Sequence, residues 1–218
     1  MLFGLIVVLI ICCWWYWYMT KNTPNLNSVM YNQVKFKTGD MILFHAWDNS
    51  YPVIFGTFWS HVGIVYKDPD TDEKPMLFEA AKTTGMKGCP SYNKSGIMIT
   101  DLQTRLEKYP GMIACKILNN PVKQNIIRGF REFMKYSKKN MSYYDDVVYN
   151  AIKKKLGEKV NNLTNCGELV LLSLIKLALM PENTLNVNTS NHLMYVNNIK
   201  QLQNNYYHDP IEILFNPF

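Results

Sequence analysis

With 218 residues, of which 48% are hydrophobic and 18% charged, the chain has room for one domain with a proper core and a small appendage. The formal net charge of +6 is modest for this length. It comes without a dense basic stripe or a recognisable binding module, which argues against a nucleic-acid role. Five cysteines, at positions 12, 13, 89, 115 and 166, show no metal-ligand spacing. Two lie in the apolar N-terminus and an odd trio remains, so reduced thiols are expected, with no disulfide framework, metal or cofactor.

Residues 2–19 carry no charge and end in Trp14-Trp15-Tyr16-Trp17-Tyr18. As a helix this stretch would be roughly 27 Å long, enough for a thin hydrocarbon layer, with the aromatic cluster at the headgroup boundary. A cleavable signal peptide would want small residues where these bulky rings stand. Residues 1–20 are therefore expected to be an uncleaved membrane anchor. Lys21, Lys35 and Lys37 on its C-terminal flank favour a cytosol-facing domain. Residues 21–37 are polar and aperiodic, the pattern of a tether, and residues 38–218 form the folded unit.

After the Gly39-Asp40 turn, residues 41–44 read as a short buried strand. A loop rich in aromatics (Trp47, Tyr51, Phe55, Phe58, Trp59) leads to a second strand over 61–66. Asp68-Pro69-Asp70-Thr71-Asp72 is turn chemistry, and extended structure resumes over 76–80. Further strands are expected at 96–100 and 112–118, with a helical turn over 102–109 between them. Residues 122–138 place Ile126, Ile127, Phe130, Phe133 and Met134 at helical spacing, while 166–179 is apolar almost all round and should be a buried helix. The tail is irregular until a possible last strand at 210–215. Strands followed by helices point to an α+β fold. The lysine clusters at 138–139 and 153–155 read as solvated helix ends.

Two segments carry chemistry. Cys166 stands at the start of the apolar helix, behind Thr164 and Asn165, where the dipole and unpaired N–H groups favour a thiolate. With Asn165 as N-cap, Glu168 takes the third helical position in a capping-box-like spacing, and the Cys166 N–H faces outward toward an oxyanion. His61 heads a strand, as a base would. Hairpin arithmetic puts Glu79 opposite His61 or one step away, so its carboxylate can hold Nδ1–H and turn Nε2 to the thiol. Glu79 taken alone also reads as a solvated edge residue, and a one-residue slip would move it to the other face. Tyr66 and Tyr144 are further oxyanion candidates. His45, His192 and His208 are bystanders.

Four blocks together resemble a known family: Gly39-Asp40-Met41-Ile42-Leu43-Phe44, Trp59-Ser60-His61-Val62-Gly63-Ile64-Val65, Phe78-Glu79-Ala80, and Asn165-Cys166-Gly167-Glu168-Leu169-Val170. Their order and spacing look like the permuted NlpC-type papain-like cysteine hydrolases, in the YiiX-like branch with members in large DNA viruses. Lecithin retinol acyltransferase-like enzymes are relatives. The resemblance spans about residues 38 to 185, with Tyr143-Tyr144-Asp145 also similar. It implies a small antiparallel sheet or barrel packed on the helix that carries the cysteine. It further implies Cys166 as nucleophile, His61 as base and Glu79 as orienting group. Gly167 departs from the small polar residue often found there. The acyltransferase branch prefers a second histidine where this chain has Glu79, which favours the hydrolase branch. The expected activity is a membrane-anchored hydrolase acting on an amide or ester through a Cys166 thioester. A lipid acyltransferase or phospholipase, and a non-catalytic virion or membrane structural protein, are the alternatives.

Overall fold

The computed structural model describes residues 6–10, 12–13, 25–45, 58–71, 73–81, 96–143, 163–164, 166–180 and 207–215. Strands β1 (Ser28–Met30), β2 (Met41–His45), β3 (His61–Tyr66), β4 (Met76–Ala81), β5 (Gly96–Asp101) and β6 (Met112–Lys116) come first. Helix α1 (Leu102–Glu107) joins β5 to β6, and α2 (Gln124–Asn140) follows. The short β7 (Ser142–Tyr143) and β8 (Leu163–Thr164), helix α3 (Cys166–Lys176) and β9 (Ile211–Leu214) complete the set. The fold is mixed α+β, as the order of elements implies.

Seven of the described strands form one sheet in the order β1-β9-β6-β2-β3-β4-β5. Its pairings are antiparallel except β1 with β9, which run parallel. The central strands are apolar at nearly every position because the sheet is covered on both faces. Met41, Leu43, Val62, Ile64, Phe78 and Ala80 point into one core with Leu169, Val170 and Leu174 of α3 and Phe130 and Met134 of α2. The alternate residues Ile42, Phe44, Val65 and Leu77 pack in a second core with Leu102 and Leu106 of α1. A period of two along each strand thus sorts one apolar run into two layers.

The turn before β2 is tied down by a carboxylate rather than by packing alone. Asp40 is fully buried; its Oδ2 accepts the Lys37 N–H at 2.8 Å and its Oδ1 the Leu118 N–H at 2.8 Å. Gly39 holds φ at 100°, a conformation that favours glycine, and donates its N–H to the Val65 carbonyl. Asp40 therefore joins the ends of three strands at the rim of the sheet. Helix α1 is capped by Asp101, whose side chain accepts the Thr104 N–H at 2.8 Å.

One expectation changes and another gains its place in the sheet. Part of the stretch read as a tether is structured: residues 28–30 pair with 212–214, and Tyr31–Gln33 form a 3-10 turn. The strand near the C-terminus is an interior member of the sheet, between β1 and β6. Neither could be read locally, because both depend on chain ends meeting. Of the expected anchor, residues 6–10 and 12–13 are helical and exposed, and the rest lies outside the described residues. No helix among the described residues is long and apolar enough to cross a membrane.

Candidate active site

His61 is the first residue of β3, Glu79 lies within β4 and Cys166 is the first residue of α3. The fold brings all three together. Glu79 Oε2 meets His61 Nε2 at 2.7 Å, and the Cys166 thiol hydrogen-bonds the same imidazole. Because Nε2 is committed to the carboxylate, the sulfur is left with Nδ1. This reverses the expected use of the two nitrogens.

The register of the hairpin also differs from the arithmetic. Ile64 pairs with Phe78, Val65 with Leu77 and Tyr66 with Met76, so the connecting loop is one residue longer than the turn chemistry implied. Continued backward, that register sets Gly63 against Glu79 and His61 on the diagonal. A shift of two positions keeps parity, so Glu79 stays on the face it needs. Diagonal neighbours lie about 7–8 Å apart, a gap two long side chains can close. Gly63 leaves the space between them open: a Cβ there would sit 3.3 Å from the Glu79 Cβ.

The start of β3 has a bulge-like step. His61 is the register partner of Phe44, yet Ser60 also engages Phe44, its N–H and its hydroxyl donating to the Phe44 carbonyl at 2.9 and 3.2 Å. Two residues facing one bends a strand and re-aims its side chains. The imidazole is thereby set between the Glu79 side of the sheet and the tip of α3.

Glu79 is not a solvated edge residue but is completely buried, on a strand paired on both sides. Its charge is compensated by Arg105 of α1, a residue that the sequence reading missed. Arg105 Nε donates to Glu79 Oε1 at 2.8 Å and Nη2 to Oε2 at 3.2 Å. Its guanidinium lies over the Phe44 ring, 4.6 Å from the centroid, and near Tyr109. The available signal was its place between Leu102 and Leu106, on the core face of a short helix where a cation needs a partner.

The electrostatics follow from these contacts. Burial alone would raise the Glu79 carboxyl, but Arg105 and His61 outweigh it and hold it down at about 2. Burial works against a charged His61, whereas hydrogen bonds and charge from Cys166 and Glu79 raise it to about 9. For Cys166, burial opposes ionisation, and the His61 partner with the Val62 and Gly167 N–H groups more than offsets it, lowering the thiol. Both shifts favour a thiolate–imidazolium pair over the neutral one, backed by a carboxylate–guanidinium pair. Glu79 is the most deeply buried of the three charged groups: its side chain is 0% exposed, against 17% for His61 and 7% for Arg105.

The other sequence candidates do not join this group. The Tyr66 hydroxyl donates to Asp68 at 2.9 Å, which removes it as an oxyanion donor. His45 is buried against Phe58, with Nδ1 at 2.5 Å from the Phe58 carbonyl. Phe58 and Trp59 belong to the core beneath the sheet. Cys115 is buried and its thiol is pushed up by burial. Tyr144, Asn165, His192, Cys89, Trp47, Tyr51 and Phe55 lie outside the described residues. Among the described residues no group of three or more His, Cys, Asp or Glu side chains is placed to hold a metal ion.

No family model matches this chain, and no curated protein matches it. Among solved structures it is similar to the crystal structure of the metalloprotein yiiX from Escherichia coli O157:H7, DUF1105, at 14% identity and a TM-score of 0.44. That alignment covers 80% of this chain and 87% of the other.

Proposed function

We propose that the chain is a membrane-anchored cysteine hydrolase of the amidase or peptidase type, in the permuted NlpC-type papain-like superfamily. Cys166 is the nucleophile, His61 the base and Glu79 the orienting carboxylate. The observation that carries this reading is the contact of one imidazole with both a helix-tip thiol and a buried carboxylate.

The chemistry runs as follows. The Cys166 thiolate attacks the substrate carbonyl carbon, and the developing oxyanion takes N–H groups of the first turn of α3, which have no intrahelical acceptor. As the tetrahedral adduct collapses, the scissile C–N or C–O bond breaks and the His61 imidazolium gives its proton to the leaving amine or alcohol. The thioester that remains is attacked by water, whose proton passes to neutral His61. Collapse of that adduct releases the acid and returns the thiolate–imidazolium pair.

Iodoacetamide labelling followed by peptide mapping tests the site. Cys166 should label near neutral pH at least tenfold faster than Cys115, and His61→Ala should slow it by about the same factor. Equal, slow labelling of Cys166 and Cys115 would instead favour a structural protein that keeps the fold.

The apolar N-terminus supports the membrane part of the reading, since Ile6, Val7, Val8, Leu9 and Ile10 are all exposed. Deleting residues 1–20 should move the protein from the membrane pellet to the supernatant. The same feature favours a second reading, a lipid acyltransferase or phospholipase. Acyl transfer to Cys166 from labelled phospholipid, without cleavage of peptide amides, would select it.

A further inference from the structure

Among the described residues, Arg105 donates two hydrogen bonds to Glu79 and His61 contributes a third. We infer that Arg105 is a positioning residue of the site: its fork grips both oxygens of Glu79, keeps that carboxylate ionised and aimed at His61, and so governs how readily Cys166 yields its proton to the imidazole. The inference deepens the thiol-hydrolase reading and depends on it.

The physical reason lies in burial. A carboxylate with no exposed surface and a single imidazolium partner would escape its desolvation cost by taking up a proton. Its source would be His61 itself. Neutral Glu79 would no longer favour the imidazolium, and the thiolate would lose its counter-charge. A planar guanidinium prevents this because it stays charged and binds both oxygens at once. Arg105 is in turn fixed by Phe44 and Tyr109 and by a helix whose first turn Asp101 caps.

Few other charges among the described residues intervene. The groups acting on Glu79 are Arg105 and His61, and those acting on His61 are Glu79 and Cys166. Cys166 faces His61 and the N–H groups of Val62 and Gly167. The arrangement is an alternating row, sulfur, imidazolium, carboxylate, guanidinium, with no net charge. Arg105 sits at the far end of that row from the sulfur and acts on it only through Glu79.

The test is the pH profile of iodoacetamide alkylation at Cys166 in the full chain, read by peptide mapping. It needs no substrate. In Arg105→Met the midpoint for thiolate formation should move up by about one unit, a roughly tenfold slower reaction on the acid limb with the alkaline plateau unchanged. Arg105→Lys keeps the charge but not the fork and should shift the same way by less. In a Glu79→Gln background, Arg105→Met should add no further shift. A side chain that only supports the fold would lower the folded fraction and leave the midpoint of the folded protein in place. An unmoved midpoint in Arg105→Met overturns the inference, and if that variant does not fold, an unmoved midpoint in Arg105→Lys does. If wild-type Cys166 titrates like an ordinary thiol, the hydrolase reading itself falls, a result separable from failure of the Arg105 role.

Discussion

Glu79 and Arg105 form a pair that neither residue could sustain alone. Removing one partner of a buried ion pair commonly costs about 3–5 kcal/mol because the other charge remains in the interior. Glu79→Gln should therefore destabilise the protein by that order, measured by urea unfolding. The pH dependence has a definite sign. Glu79 falls from 4.5 to about 2 on folding, so its contribution is complete above pH 4.5 and is lost as pH drops toward 2. Unfolding free energy should decline across that window in wild type and more gently in Glu79→Gln; parallel curves would contradict the assignment. On the alkaline side, His61 keeps its proton up to about pH 9. In the proposed mechanism the imidazolium is the donor to the leaving group, so turnover should fall with a midpoint near pH 9. A rate that stays level to higher pH would remove His61 from that role.

At the scale of elements, the hairpin of β3 and β4 is what makes a site from separate residues. His61 reaches Glu79 on a diagonal, and the intervening Gly63 contributes no side chain to block it. A Cβ at Gly63 would stand 2.9 Å from Leu77 Cδ1 and 3.3 Å from the Glu79 Cβ. Leu77 is fully buried in the second core and Glu79 is held by His61 and Arg105, so neither gives way freely. Gly63→Ala should thus cost about 1–3 kcal/mol by overpacking, although alanine is ordinarily the better strand residue. It should also slow Cys166 labelling at neutral pH, since any shift of Glu79 is felt at His61. Thermal unfolding combined with the labelling rate checks both parts.

For the whole molecule, one side of the sheet is built from strands far apart in the chain. Residues 28–30 and 212–214 run side by side, and Ser28 Oγ donates to Glu212 Oε2 at 2.7 Å. β9 also pairs with β6, which in turn supports β2 beside the site strand. Ending the chain before residue 207 would leave β6 with an open edge and remove the buried Tyr207, whose hydroxyl donates to the Gly39 carbonyl. Hydrogen exchange should then accelerate at the amides of residues 112–116 first. Unchanged protection there would mean that β9 is peripheral. Core truncation gives a separate measure: Phe130 is fully buried between α2 and the sheet, and Phe130→Ala should cost about 3–5 kcal/mol.

The sequence by itself determined where most strands and helices run, because the short apolar runs at 41–44 and 61–66 and the apolar stripe around Phe130 are local patterns. It also singled out Cys166 and His61, since a thiol at a helix tip and an imidazole at a strand head advertise their chemistry within a few residues. The tertiary structure alone decided the rest. Hairpin register depends on loop length to a single residue, and that set Glu79 diagonal to His61 and turned Nε2 toward it. Arg105 was hidden because its partner lies 26 positions away. The place of β9 beside β1 and β6 required distant ends of the chain to meet, and no pattern within a short window encodes such a meeting.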